Sequence, residues 1–124
     1  MSRSDQRSGR RRPSGRSDRY LQPSLLLALK RRAAYGYELI QKIAEFGFVE
    51  GQAPPGMIYR HLRELEANGL VVSEWMTEDS GPAKRIYRLT HEGGEALALW
   101  IGFMRAQAER LLNFVEQYRA LSGT

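Results

Sequence analysis

The sequence predicts a mostly α-helical chain carrying one small β-hairpin, arranged as a winged helix-turn-helix that runs into a long C-terminal helix. Three observations predict it. Apolar residues recur at helical spacing in three short segments between Leu21 and Leu65. A β-branched and aromatic run, Leu70 to Met76, is joined to an alternating run, Arg85 to Thr90, by a polar stretch, Thr77 to Lys84, that contains Gly81-Pro82. From His91 to Leu121 the apolar positions again step by three and four, long enough for one extended helix.

Each element has a local cause. Leu21, Leu25, Leu26, Leu27 and Leu29 form the first helical pattern, with Ser24 behind Pro23 as its candidate N-cap. Tyr35 to Phe46 is the second helix, with Leu39, Ile40, Ile43 and Phe46 on one face, and Gly47 and Gly51 punctuate the segment after it. The third helix starts at Pro54 or Pro55, because a first-turn proline lacks only a donor that has no partner there, and it stops at Asn68-Gly69. Ile58, Leu62 and Leu65 make its buried face, which leaves Met57, Arg60, His61, Arg63 and Glu64 turned toward solvent. Two strands and the tip between them form a two-stranded wing. Thr90 then caps the last helix, with Glu92 in the first turn where negative charge suits the helix dipole.

At 124 residues the chain is long enough for one ordinary domain. It divides into a disordered basic arm over residues 1–20, a winged helix-turn-helix over 21–90 and a C-terminal dimerisation helix over 91–124. Seven arginines against two aspartates in residues 1–20 account for the whole net charge of +5, since 12 basic and 12 acidic side chains cancel in the rest. The arm is nearly free of apolar side chains and cannot bury enough surface to offset the entropy of ordering. The folded part can therefore hold an anionic partner only by gathering its basic groups on one face. With no cysteine there is no disulfide framework and no thiolate metal site, and no apolar run reaches the length of a membrane span, so a cytoplasmic protein is expected.

A basic helix, Pro55 to Glu66, followed closely by a basic hairpin is what a winged helix-turn-helix needs to grip duplex DNA. Four motifs carry a more specific likeness: Tyr35-Gly36-Tyr37-Glu38-Leu39, Pro55-Gly56-Met57-Ile58-Tyr59, Leu65-Glu66-Ala67-Asn68-Gly69-Leu70, and Ser80-Gly81-Pro82 with Arg85-Ile86-Tyr87-Arg88-Leu89-Thr90. In this order and spacing the chain resembles the PadR family of bacterial transcriptional regulators, in its short form with a single C-terminal helix. The resemblance implies a homodimer built through that helix, and repression by operator occupancy that a small aromatic or lipophilic molecule relieves. Two departures stand out: Arg60 replaces a proline common in the family, and the arginine-rich arm is an addition.

On this reading the third helix offers Gln52, Met57 and His61 as base readers, with Arg60 and Arg63 reaching guanine or phosphate. Gly56 belongs to the start of that helix and Gly81 to the wing tip, Tyr37 and Tyr59 offer hydroxyls to phosphates, and Lys84 and Arg85 lie along the wing, with Arg88 a weaker candidate. Plainer roles exist for each: packing for the tyrosines, ion pairs with Glu64 or Glu66 for the arginines, and solvation for His61. The final helix carries too much apolar surface to stand alone, so Leu97, Trp100, Met104, Leu111, Phe114 and Tyr118 are expected to pair with a second copy about a two-fold axis that matches an inverted-repeat operator. Trp100, Phe103, Met104 and Phe114 are the effector candidates, core packing being the alternative.

Other functions fit less well. The chain has no Ser-His-acid or Cys-His arrangement on placed elements, so an enzyme is not expected, and no cofactor is implied. His61 and His91 lie on different elements without metal-ligand spacing. The main alternative is a dimeric ligand-binding or protein-interaction module that keeps the fold without reading DNA, and RNA binding through the arm is a third reading.

Overall fold

A computed structural model describes residues 19–48, 54–77 and 81–123. Within them α1 (Leu21–Arg31), β1 (Ala34–Tyr35), α2 (Gly36–Glu45), α3 (Pro55–Ala67), β2 (Val71–Met76), β3 (Lys84–Leu89) and α4 (His91–Ser122) follow in chain order. Three short helices and an antiparallel sheet enclose one core, and α4 leaves it. Leu21, Leu25, Leu26 and Leu29 of α1 meet Leu39 and Ile43 of α2, Ile58, Leu62 and Leu65 of α3, Val71 and Tyr87 of the sheet, and Leu97 of α4. The expected buried faces of α2 and α3 are thus observed, whereas Leu27 faces outward.

The start of α1 differs from expectation. Ser24 is not the cap: Tyr20 holds that position, and Ser24 lies buried within the first turn, its Oγ donating to the Tyr20 carbonyl at 2.7 Å. Pro23 permits this, because the first four amide groups of a helix have no intrahelical acceptor and a missing one costs nothing there. Starting early brings Leu21 into the core.

The sheet has three strands rather than two, in the order β1-β3-β2. Ala34 pairs with Tyr87 and Tyr35 with Ile86, so Tyr35 ends a strand instead of opening a helix. Its backbone N–H donates to the Glu38 carboxylate at 2.8 Å, and α2 starts at Gly36. Gly36 is buried, and a Cβ there would lie 2.5 Å from the Tyr59 hydroxyl oxygen.

Local signals at the other junctions act as expected. Pro55 opens α3, and Gly69, in the left-handed region at φ 76°, lets Leu70 N–H donate to the Leu65 carbonyl at 2.9 Å in a helix-ending Schellman turn. Thr90 caps α4 by accepting from the Gly93 amide at 2.9 Å, while its own hydroxyl donates to the Gly69 carbonyl at 2.8 Å. Gly93 is required here, since any Cβ would run into the Leu70 carbonyl. That close approach fixes where α4 departs. Its first two turns belong to the core through Gly93 and Leu97, and from Ala108 to Gly123 every residue is exposed.

Candidate nucleic-acid interface

The outer side of α3, the start of α2 and the tip-side half of the hairpin enclose a groove of about 490 Å³. Tyr37, Tyr59, Arg63, Lys84 and Arg85, five of the sequence-predicted contacts, line it together. Their convergence has a structural cause. Gly36 lets α2 approach Tyr59 of α3, and β1 pairing with β3 draws the start of α2 against the wing.

Two networks organise the groove. At one side the rings of Tyr35 and Tyr37 stack with centroids 5.8 Å apart and an interplanar angle of 6°, and Lys84 Nζ lies 5.7 and 5.5 Å from them. An ammonium over two aromatic faces is held by the ring quadrupoles while it remains exposed to a partner. On the other, Arg85 Nε donates to Ser73 Oγ at 2.8 Å, and Ser73 Oγ lies 3.0 and 2.9 Å from the two Glu66 carboxylate oxygens. The Arg85 guanidinium also covers the Trp75 ring at 4.9 Å. Tyr87 also lines the groove, and burial pushes its pKa above the usual tyrosine value, with Arg85 opposing the shift.

The remaining predicted contacts are distributed differently. Arg60 is exposed on α3, its guanidinium 3.4 Å from His61 Nε2. His61 does not face solvent: it is 8% exposed, with Nδ1 3.1 Å from the Gln22 amide of α1 and 3.6 Å from Glu64. Met57 likewise turns inward and packs against the core. His61 is covered because α1 packs against α3 on that side, where Gln22 reaches across to Glu64 at 3.0 Å. Gly56 is exposed in the first turn of α3, and Gly81 is exposed at the tip with φ 98°. Arg88 lies outside the groove, 3.6 Å from Glu74. Gln52 and most of the arm fall outside the described residues.

Sequence reasoning missed Tyr35, Glu66, Ser73 and Trp75. Only the strand register could have revealed the last two, since it sets Ser73 opposite Tyr87 and Trp75 opposite Arg85 on one face of the hairpin.

The α4 candidates separate into two groups. Leu97 is buried in the chain's own core, and Trp100 is half-buried, edge-on to Tyr20 at 6.3 Å and to Phe103 at 6.0 Å. Met104 is half-buried, while Leu111, Phe114 and Tyr118 are exposed. Phe114 lies about 21 Å along the helix from Trp100 at 1.5 Å per residue, so one chain does not bring the effector candidates into one pocket. Among the described residues no helix is long and apolar enough to cross a membrane, and no group of three acidic, histidine or cysteine side chains could hold a metal ion.

Comparison with known proteins gives consistent results. The profile of the Transcriptional regulator PadR-like family matches residues 25–99. Transcriptional regulator Rv3488 of Mycobacterium tuberculosis is 41% identical over 63 residues, covering 51% of this chain and 55% of that protein. The match thus spans about half of that relative's length. A PadR family transcription regulator from hypervirulent Clostridium difficile superposes with a TM-score of 0.69 at 26% identity, over 77% of this chain and 98% of that one. A Bacillus subtilis PadR, solved in complex with operator DNA, superposes with a TM-score of 0.60 at 25% identity, over 67% of this chain and 47% of that one.

Proposed function

The chain belongs to the PadR-like family of transcriptional regulators, and from that premise we propose that it is a homodimeric repressor that grips an inverted-repeat operator through α3 and the wing. One observation carries this reading: Tyr37, Tyr59, Arg63, Lys84 and Arg85 converge on the groove between the third helix and the hairpin. The folded part carries no net charge, so collecting cations there creates a local positive field that its composition does not supply. Phosphates running between α3 and the wing would meet Lys84, Arg63 and the tyrosine hydroxyls, and the exposed end of α3 would enter the major groove. Arg60 is the base reader this reading favours. Gln52 and Gly56 are assigned to the same approach, and His61 and Met57 support α3 from behind.

Dimerisation is assigned to the exposed half of α4. Leu111, Phe114, Tyr118 and Leu121 leave an apolar stripe in water that a second α4 would cover, and a two-fold axis there suits a palindromic site. A flat effector would enter beside Trp100 and Phe103, where the stripe joins the core, and relieve repression by changing the angle between the two copies.

The test is fluorescence anisotropy against DNA from the protein's own promoter region and a scrambled control, at several salt concentrations. Preference for the promoter that collapses in Arg63→Glu and Lys84→Glu is the expected result. Equal binding of both DNAs at every salt concentration would rule out specific reading and favour an interaction module.

A further inference from the structure

Trp75 does no packing work that its size would justify. It is 62% exposed, yet it projects from the same face of β2 as buried Val71, at the point where the hairpin extends beyond the helices. A chain of contacts starting on α3 holds it: Glu66 accepts from Ser73, Ser73 accepts from Arg85 Nε, and the Arg85 guanidinium covers the indole. Fixing a long arginine side chain over a solvent-facing ring costs rotamer entropy that so exposed a contact recovers poorly. The cost is understandable if the ring must be presented in a set orientation.

We infer that Trp75 is a DNA-contacting residue of the wing, its indole meeting the sugar-phosphate strand that passes through the groove, and that Glu66, Ser73 and Arg85 are positioning residues for it. The inference rests on the DNA-binding reading of this groove. Charge complementarity identifies the occupant: Arg63 and Lys84 line the groove that Trp75 borders, which suits a polyanion with apolar sugar faces. Arg85 changes role accordingly. With Nε on Ser73 and its plane on Trp75, it acts through the ring, whereas Lys84 on the tyrosine pair stays available to phosphate.

Glu66 makes the inference sharply testable. A carboxylate that merely sits beside a DNA groove repels phosphate, so Glu66→Ala would strengthen binding; a carboxylate that orients Trp75 by accepting from Ser73 requires the same substitution, which removes the acceptor, to weaken it. The experiment uses the full chain, promoter DNA, and the variants Trp75→Ala, Trp75→Phe, Glu66→Ala, Glu66→Ala with Trp75→Ala, and Arg63→Glu as reference. Trp75→Ala is expected to lose about tenfold in affinity, equivalent to about 1.4 kcal/mol, and Trp75→Phe, which keeps a flat ring, to lose far less. Glu66→Ala should weaken binding alone and add nothing in the Trp75→Ala background, the non-additivity expected of groups acting in one chain. With 5-fluorotryptophan incorporated, the 19F resonance that disappears in Trp75→Phe should move when DNA is added. If Arg63→Glu abolishes binding while Trp75→Ala binds like the parent and the Trp75 resonance of the parent protein stays fixed on adding DNA, the inference fails and the DNA reading stands. Tighter binding by Glu66→Ala overturns the positioning role. Undiminished binding by Arg63→Glu removes the DNA reading itself.

Discussion

Gly36 and Tyr59 set the geometry of the groove at the scale of single residues. The Tyr59 hydroxyl occupies the space that any other residue at position 36 would fill. Gly36→Ala should therefore force the tyrosine aside, destabilise the fold by about 1–3 kcal/mol, as overpacking does, and weaken promoter binding. In a Tyr59→Ala background the same substitution should cost almost nothing, because the space is then empty; an equal loss of melting temperature in both backgrounds would refute the assignment. Tyr87 gives a second prediction. Burial raises its pKa above 10 in the folded chain, so the native state holds its proton longer than the unfolded chain does. That contribution is complete below pH 10 and is lost as pH rises through the folded value, so stability should fall with pH above about 10. Tyr87→Phe should flatten this alkaline decline in denaturant titrations, whatever its effect at neutral pH. Residue identity alone indicated that tyrosines mattered here, but not which would be buried, stacked or open.

At the scale of elements, α4 has two parts along one amphipathic pattern, one buried against the core and one exposed. Its first turns are locked to the winged core by Gly93 against Leu70 and by buried Leu97, whereas every residue from Ala108 to Gly123 is exposed. Periodicity could not separate the two, since both halves repeat at three and four residues; the division depends on where the core ends. Leu111→Glu combined with Phe114→Glu should leave the thermal unfolding of the winged domain nearly unchanged and convert a dimer to monomer in sedimentation velocity. A double variant that still sediments as a dimer would move the interface elsewhere. The recognition helix shows the converse limit. Its apolar face was legible from Ile58, Leu62 and Leu65, but His61 and Met57 stand at the edge of that face; Met57 packs against the core, and only the packing of α1 on α3 covered His61. β1 was invisible for a different reason: two residues are too few for any alternation, and Ala34-Tyr35 is a strand only because β3 lies beside it.

Charge is a property of the whole molecule. The arm carries the entire excess, and the folded part must arrange a neutral set of side chains to make one basic groove. Removing residues 1–18, which leaves the Tyr20 cap of α1 in place, should accordingly lower affinity for promoter and control DNA alike and reduce the salt dependence of binding, with their ratio preserved; loss of the preference itself would assign specificity to the arm. Local chemistry wrote much of the architecture into the sequence. The order of the elements, the buried faces of the short helices, the proline start and glycine stop of α3 and the threonine cap of α4 each depend on neighbours within a few residues, so spacing and residue type sufficed. The tertiary structure alone decided the third strand, the inward turn of His61, the diversion of Arg85 onto Trp75 and the meeting of five predicted contacts in one groove. Those features depend on register and helix crossing between segments far apart in the chain, and no local pattern encodes which distant side chain will lie opposite.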